Sequence, residues 1–268
     1  MTVNQDKFYS LLRQQNRKWY QSLAKTFVIL TIILISFAVV GLLDGKRLYE
    51  GIPDLINMIR EMLPPDFTRA SEWIKPLIDT LAMSIAGTGM AILFSLPISL
   101  CAAQNTTPHP LFYLLSRIIL NITRAIPELL LGMIFVAAVG FGALPGVLAL
   151  GFHSVGMTGK FFAESIEHTE NAPIEAAKAA GANYLQIIFH SILPQVLPQI
   201  ADVSFYRWEY NFRASLVLGA VGAGGIGFEI IGALRLLKYE EVSALLLVVL
   251  FMVTLVDSLG NYLRQKFI

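Results

Sequence analysis

Cysteine is almost missing from the chain. The single one, Cys101, cannot form an intrachain disulfide, excludes a cysteine-rich metal site, and sits in an apolar run as a small packing residue. Charge is also scarce, at 15% Asp, Glu, Lys and Arg, where a soluble domain carries about 25%. The 20 basic residues nearly cancel the 19 acidic ones, leaving +1, so no overall basic field points to nucleic acid. His109, His153, His168 and His190 show no HExxH or other ligand spacing, and there is neither a GxSxG elbow nor a Walker A sequence. The chain therefore reads as a non-enzyme without its own ATP site, cofactor or metal. What it has instead is apolar bulk: 55% hydrophobic residues and a mean hydropathy of +0.63 over 268 residues. These residues are gathered into long runs, the pattern of an all-helical, multi-pass membrane protein.

Six spans are expected. Residues 1–25 carry Lys7, Arg13, Arg17, Lys18 and Lys25 against Asp6 alone, a cytoplasmic segment under the positive-inside rule. Phe27 to Leu43 is the first span, 17 uncharged residues. The competing reading is a cleaved signal peptide, but Asp44, Lys46 and Arg47 stand where a small-residue cleavage site would be. Asp44 to Pro76 mixes five basic with six acidic residues and holds Pro53, Pro64 and Pro65, an external loop with a short helix around Pro53–Leu63. A second span, Leu77 to Ala103, is rich in the small residues that let membrane helices approach. The others are Leu111 to Val139, interrupted by Pro127-Glu128, then Leu144 to Ile166, Gln199 to Val221 and Val242 to Leu263. An even number places both termini on one side. The expected division is 1–76, with the first span and external loop, and 77–268, a transmembrane domain. No internal repeat is evident, which disfavours carriers built from two matching halves.

Between the fourth and fifth spans lies Asn171-Ala172-Pro173-Ile174-Glu175-Ala176-Ala177-Lys178-Ala179-Ala180-Gly181. It predicts a self-contained helix over about 172–182. Asn171 suits the N-cap, Pro173 the first turn, alanine the body, and Gly181 a left-handed stop. An alanine face of this kind fits closely into a groove on a partner; it is also what a plain loop helix would have.

Glu175-Ala176-Ala177, Gly181 and the following Leu193-Pro194 resemble the EAA loop of ABC-importer permeases, with Ser191 where the family usually has an aliphatic residue. Arg124-Ala125-Ile126-Pro127-Glu128-Leu129, the stretch FVAAVGFG from Phe135 to Gly142, and Tyr206 to Ala214 leading into Val217 to Gly227 resemble the phosphonate-transporter permeases. The resemblance covers about residues 75–265. It implies a type I (MetI-like) importer permease fold in the bacterial inner membrane, with both termini cytoplasmic. Glu175, Ala176, Ala177 and Gly181 would form the coupling helix. Implied partners are a second permease copy forming a homodimer, two cytoplasmic ATPase subunits holding ATP and Mg, and a periplasmic binding protein. The implied cargo is phosphonate, phosphite or phosphate.

Ionisable residues at membrane depth are functional candidates by default. Arg124 and Glu128 share a helical face by i,i+4 spacing, as a structural pair or as substrate contacts. Arg207 pairs by spacing with Asn211, and Glu209 with Arg213. Two arginines and one glutamate leave positive charge, and guanidinium suits an oxyanion. Arg207 or Arg213 facing the path is weighed against packing and anchoring. Gly222, Gly224, Gly225 and Gly227 formally spell GxGxxG, yet they end an apolar span rather than follow a strand, so a close-packed turn or gate is expected. The rival function is a stand-alone ion-coupled anion carrier, and a weaker one a membrane-embedded enzyme.

Overall fold

The computed structural model describes residues 3–267, which divide into two compact units at Glu61/Met62. Met1, Thr2 and Ile268 lie outside the described residues, as do the side chains of Lys7 and Arg13. The first unit holds α1 (Val3–Val39) and α2 (Gly45–Glu61). The stretch Arg17–Val39 of α1, 23 residues, contains an apolar window suited to a membrane, and the helix ends at Val39, so the last four residues of the expected first span, 40–43, lie in a turn. Helix α2 occupies more of the segment between the first two expected spans than the short helix anticipated there, because Pro53 falls inside it without ending it.

The second unit is a helical bundle. It contains α3 (Ile74–Ala102), α4 (Pro110–Ala125), α5 (Glu128–Val139), α6 (Ala143–Glu167), α7 (Asn171–Ala179), α8 (Tyr184–Ile187), a π-helical turn at Ile188–Ile192, α9 (Leu193–Gly219), α10 (Gly225–Arg235) and α11 (Tyr239–Phe267). Helices α3 and α6 form its spine. Gly87 lies so close to Leu150 and Gly151 that a Cβ would sit 2.8 Å from the Leu150 Cβ, and Ser95 donates to the Val155 carbonyl at 3.1 Å. This is the small-residue packing that substitutes for hydrophobic drive inside a membrane.

Among the described residues three helical stretches are long and apolar enough to cross a bilayer, in α1, α3 and α11, and α4 with α5 makes a fourth if the bent pair is one span. Those two are bent by 86° at Ile126-Pro127. Proline removes an N–H and pushes the preceding residue out of the helical region, and Ile126 sits at φ −87°, ψ 122°. The expected third span is therefore two helices with a sharp bend between them, the shape of a broken span or a re-entrant loop. The fourth and fifth expected spans, α6 and α9, are helices of 25 and 27 residues. At 1.5 Å per residue they reach roughly 37 to 40 Å, ample for a bilayer. Their composition conceals it, through glycine and hydroxyl residues in α6 and Asp202, Arg207, Glu209 and Arg213 in α9. Leu93, Phe94, Ile134, Leu250 and Phe251 on the bundle's outside are all more than half exposed, which suits lipid and not water.

Residues 62–73 are tied to the start of α11. The Asp66 N–H donates to the Glu240 carbonyl at 3.0 Å, Ser243 donates to the Met62 carbonyl, and Arg69 reaches the buried Glu241 at 2.7 Å. Hydrogen bonds from the Thr68 backbone and hydroxyl hold the exposed Asp66 carboxyl below its ordinary range. Cys101 is a half-buried free thiol.

Candidate functional site

Helix α7 stands out from the bundle with a single buried residue, Ile174. Ile174 joins Phe162, Ile166, Ile188 and Ile192 in an apolar cluster, while Glu175, Ala176 and Gly181 are exposed and Ala177 is half-buried. The helix begins one residue earlier than its alanine run suggests. The N-cap position is Glu170 rather than Asn171, and its side chain makes no capping bond; its N–H instead donates to the Gln195 side chain at 2.9 Å. The end is as the sequence predicts. Gly181 has φ +82°, its N–H donates to the Lys178 carbonyl and the Ala182 N–H to the Ala177 carbonyl, both at 3.0 Å, the paired bonds of a Schellman stop.

The segment is anchored at both flanks. Ser191 donates to the Pro173 carbonyl at 3.3 Å, and the Tyr184 hydroxyl donates to the Thr106 carbonyl in the loop between α3 and α4. Burial pushes the Tyr184 phenol above its ordinary value, so it remains a donor. Beside α7 an open depression of about 710 Å³ is lined by Glu164, His168, Glu170, Pro173, Gln195 and Gln199, among others.

A polar cluster lies deep in the bundle. Arg207 is 14 residues into α9, about 21 Å from its start, and only 4% exposed. Its Nε donates to Ser154 at 2.8 Å; Ser154 donates to the Asn211 side chain at 3.0 Å, and Asn211 to Thr88 at 2.9 Å. The shared face of Arg207 and Asn211 is thus realised, with α6 and α3 completing it. The guanidinium lies over the Tyr210 ring, 4.2 Å from its centroid. Tyr210 donates to Glu128 at 2.9 Å, and Glu128 meets His153 Nε2 at 3.2 Å. Among the described residues no carboxylate pairs with Arg207, and its Nη2 is buried without a hydrogen-bond partner.

Glu128 does not pair with Arg124, contrary to the i,i+4 expectation. The helix is broken between them, and Arg124 Nη2 turns back to Asn121 at 2.9 Å. His153 and Tyr210 are members of this cluster to which spacing assigns no role, because their partners come from another helix.

Glu209 and Arg213 share a second face, turned to α11. Arg264 donates to Glu209 and lies 3.9 Å from Asp202, and Arg213 meets Asp257 at 2.7 Å. The positive excess expected in the fifth span does not exist on this face, since α11 brings its own carboxylate to Arg213. On the other face of α9, Arg207 has no ion-pair partner among the described residues.

At the other end of α9, Gly222, Gly224 and Gly225 have φ of +95°, +74° and +71°, conformations that side chains strain to adopt. Gly227 lies inside α10, where a Cβ would run into the Leu216 carbonyl of α9. Thr80 of α3 accepts the Ile226 N–H at 2.9 Å, fixing the reversal on the bundle. Gly227→Ala must separate α9 from α10 and is expected to destabilise the protein by about 1–3 kcal/mol, read as a lowered melting temperature in detergent. An unchanged melting temperature would show that this contact carries no packing.

Residues 95–268 match the family model for the binding-protein-dependent transport system inner membrane component. Phosphite transport system permease protein PtxC of Stutzerimonas stutzeri is 57% identical over 257 residues, covering 96% of this chain and 94% of that one. Phosphate-import permease protein PhnE of Mycolicibacterium smegmatis is 38% identical over 218 residues, 81% of this chain and 41% of that longer one. Among solved structures, the inward-facing MetNI methionine ABC transporter matches with a TM-score of 0.64 at 20% identity, over 73% of this chain and 96% of that chain. That likeness concerns the fold. The protruding α7, the bundle and these relatives agree: the chain has the type I ABC-importer permease fold and belongs to the family of binding-protein-dependent transport system inner membrane components.

Proposed function

We propose that this chain is the membrane-spanning subunit of an ATP-driven importer and forms the path for phosphite or a closely related phosphorus oxyanion across a bacterial inner membrane. The observation that carries the anionic cargo is Arg207, a buried guanidinium at the bundle's mid-depth with no carboxylate partner and an unused Nη2. Such a cation is costly in a membrane, and guanidinium recognises tetrahedral oxyanions through two parallel donors. Two relatives are named for phosphite and phosphate transport, which supports the same sign and class of cargo.

The energy source follows from α7. Glu175, Ala176, Ala177 and Gly181 present an almost side-chain-free surface outside the bundle, shaped to enter a groove on an ATPase subunit. ATP and Mg belong to that subunit, as the chain has no Walker A sequence. Two copies of the chain with two ATPases make the working unit, a periplasmic protein delivers the anion, and both termini face the cytoplasm. Closure of the ATPases moves the two α7 helices and alternates access to the path around Arg207. Arg124, Glu128, Glu209 and Arg213 belong to this reading as the charged surroundings of the path, and Gly222, Gly224, Gly225 and Gly227 as the fixed turn at its outer end.

The test is ATP hydrolysis by the permease–ATPase complex in nanodiscs, driven by its binding protein loaded with phosphite, methylphosphonate, phosphate or sulfate. Stimulation by a phosphorus oxyanion over sulfate is expected. Equal responses to all four, or none, would overturn the assigned cargo.

A further inference from the structure

The contacts around Glu128 describe what an anion needs at this depth. Its carboxylate accepts from the Tyr210 hydroxyl at 2.9 Å, with the second oxygen 3.2 Å from that hydroxyl and 3.2 Å from His153 Nε2. His153 Nδ1 is 3.0 Å from the Ile126 carbonyl, which only accepts, so that nitrogen carries a hydrogen. His153 Nε2 lies within ion-pair distance of the Glu128 carboxylate. Glu128 is thus the carboxylate that His153 and Tyr210 both face, with Arg207 behind the Tyr210 ring.

The placement adds to this. Glu128 opens α5 directly after the 86° break, so it sits at a helix start and on a joint between two helices. Its side chain is 22% exposed and that of His153 is 12% exposed, while Arg207 lies fully covered behind the Tyr210 ring. The carboxylate is thus more exposed than His153 and Arg207, on a line that ends on a guanidinium with an unused donor.

We propose that Glu128 is a resident stand-in for the transported anion. Tyr210, His153 and Arg207 form the donor set for a tetrahedral phosphorus oxyanion, and Glu128 yields its place on the first two when the anion enters. This rests on the oxyanion reading above and extends it to His153 and Tyr210 as substrate donors, with Glu128 as their competitor. The three donors come from α6 and α9, whereas the competitor comes from α5 beyond the break, so a swing of α5 about Pro127 that leaves the Ile126 carbonyl on His153 Nδ1 withdraws it from the donors.

The experiment measures equilibrium binding of radiolabelled phosphite to the permease–ATPase complex in nanodiscs without binding protein, so that affinity for the membrane site is read directly, beside the rate of ATP hydrolysis driven by the phosphite-loaded binding protein. Co-elution of the ATPase confirms assembly of each variant. Glu128→Gln removes the competing charge and is expected to lower the half-saturating phosphite concentration about tenfold. His153→Gln and Tyr210→Phe each remove one donor and should raise it about tenfold, the loss of one charge-assisted hydrogen bond. A Glu128 that merely props the helix joint predicts the opposite pattern, a lower maximal rate at an unchanged half-saturating concentration. That result in assembled Glu128→Gln overturns the proposal. So do His153→Gln and Tyr210→Phe variants with wild-type half-saturation, which decide the matter if Glu128→Gln fails to assemble. Absence of phosphite binding by the wild-type complex would overturn the donor set, whereas failure of the phosphite-loaded binding protein to stimulate its ATP hydrolysis above sulfate would instead overturn the oxyanion reading beneath it.

Discussion

Arg207→Ala is expected to cut ATP-driven phosphite uptake by about 100-fold or more while leaving the permease–ATPase complex assembled. The magnitude corresponds to about 2.7 kcal/mol, in the range of one or two hydrogen bonds to a charged group. The reasoning is comparative, because the same bundle shows what structural arginines look like. Arg213 has Asp257 at 2.7 Å, Arg264 has Glu209, and Arg117 has Glu167 at 2.8 Å. Arg207, more deeply buried than any of these, has Ser154 and a tyrosine face but no carboxylate. Removing a buried, unpaired charge relieves a desolvation cost of about 3 kcal/mol on insertion scales, which offsets much of the lost packing. Ser154 keeps its bond to Asn211 at 3.0 Å. Arg207→Lys retains the charge but not the two-pronged donor geometry and should fall between, with about a tenfold loss. Uptake assays in proteoliposomes, with assembly followed by co-elution, separate the outcomes. Misassembly of Arg207→Ala would mark the residue as structural, and normal uptake by an assembled Arg207→Ala would remove it from the path.

The second large effect belongs to α7. Glu175→Arg combined with Gly181→Pro is expected to reduce uptake to background by loss of the ATPase subunit, with the permease still inserted and folded. Proline cannot adopt the φ of +82° found at Gly181, and it lacks the N–H that donates to the Lys178 carbonyl. The cost is about 3 kcal/mol, confined to the exit of one short helix. Glu175 is exposed, and nothing lies within 4 Å of a Cβ placed at Gly181, so neither change disturbs the bundle. Pull-down of the ATPase with wild-type and variant permease decides it. Equal recovery of the ATPase would deny α7 its coupling role.

Much of this arrangement is legible in the amino-acid order, and the parts that are not share one cause. The exposed helix is legible because its signals are local, a proline near its start, alanines through it and Gly181 at its stop. The break at Pro127 is legible as an interruption, but not its 86°, since a bend is set by what the two halves pack against. The Arg124–Glu128 pair fails for that reason: i,i+4 spacing has meaning only along an unbroken helix. Helix α10 follows the glycine reversal for only 11 residues, too short to announce itself against the apolar runs around it.

The two faces of α9 are correct from spacing alone, whereas their charge balance is not. The partner of Arg213 lies 44 residues onward and that of Glu209 lies 55 onward, both on α11. His153 is similarly invisible: it lacks metal-ligand spacing, and its meaning comes from Glu128 on a different helix. Local physics writes helices and stops; the chemistry of a membrane path is written across helices.

The most direct test of the proposed transport cycle is phosphite uptake by proteoliposomes made with the chain alone, or with its ATPase and binding protein. Uptake should require all three components and ATP, and should be absent for the chain alone under a proton or sodium gradient. Uptake by the chain alone, driven by such a gradient, would contradict an ATP-coupled permease and make the intramembrane His153–Glu128 couple part of an ion-coupled carrier.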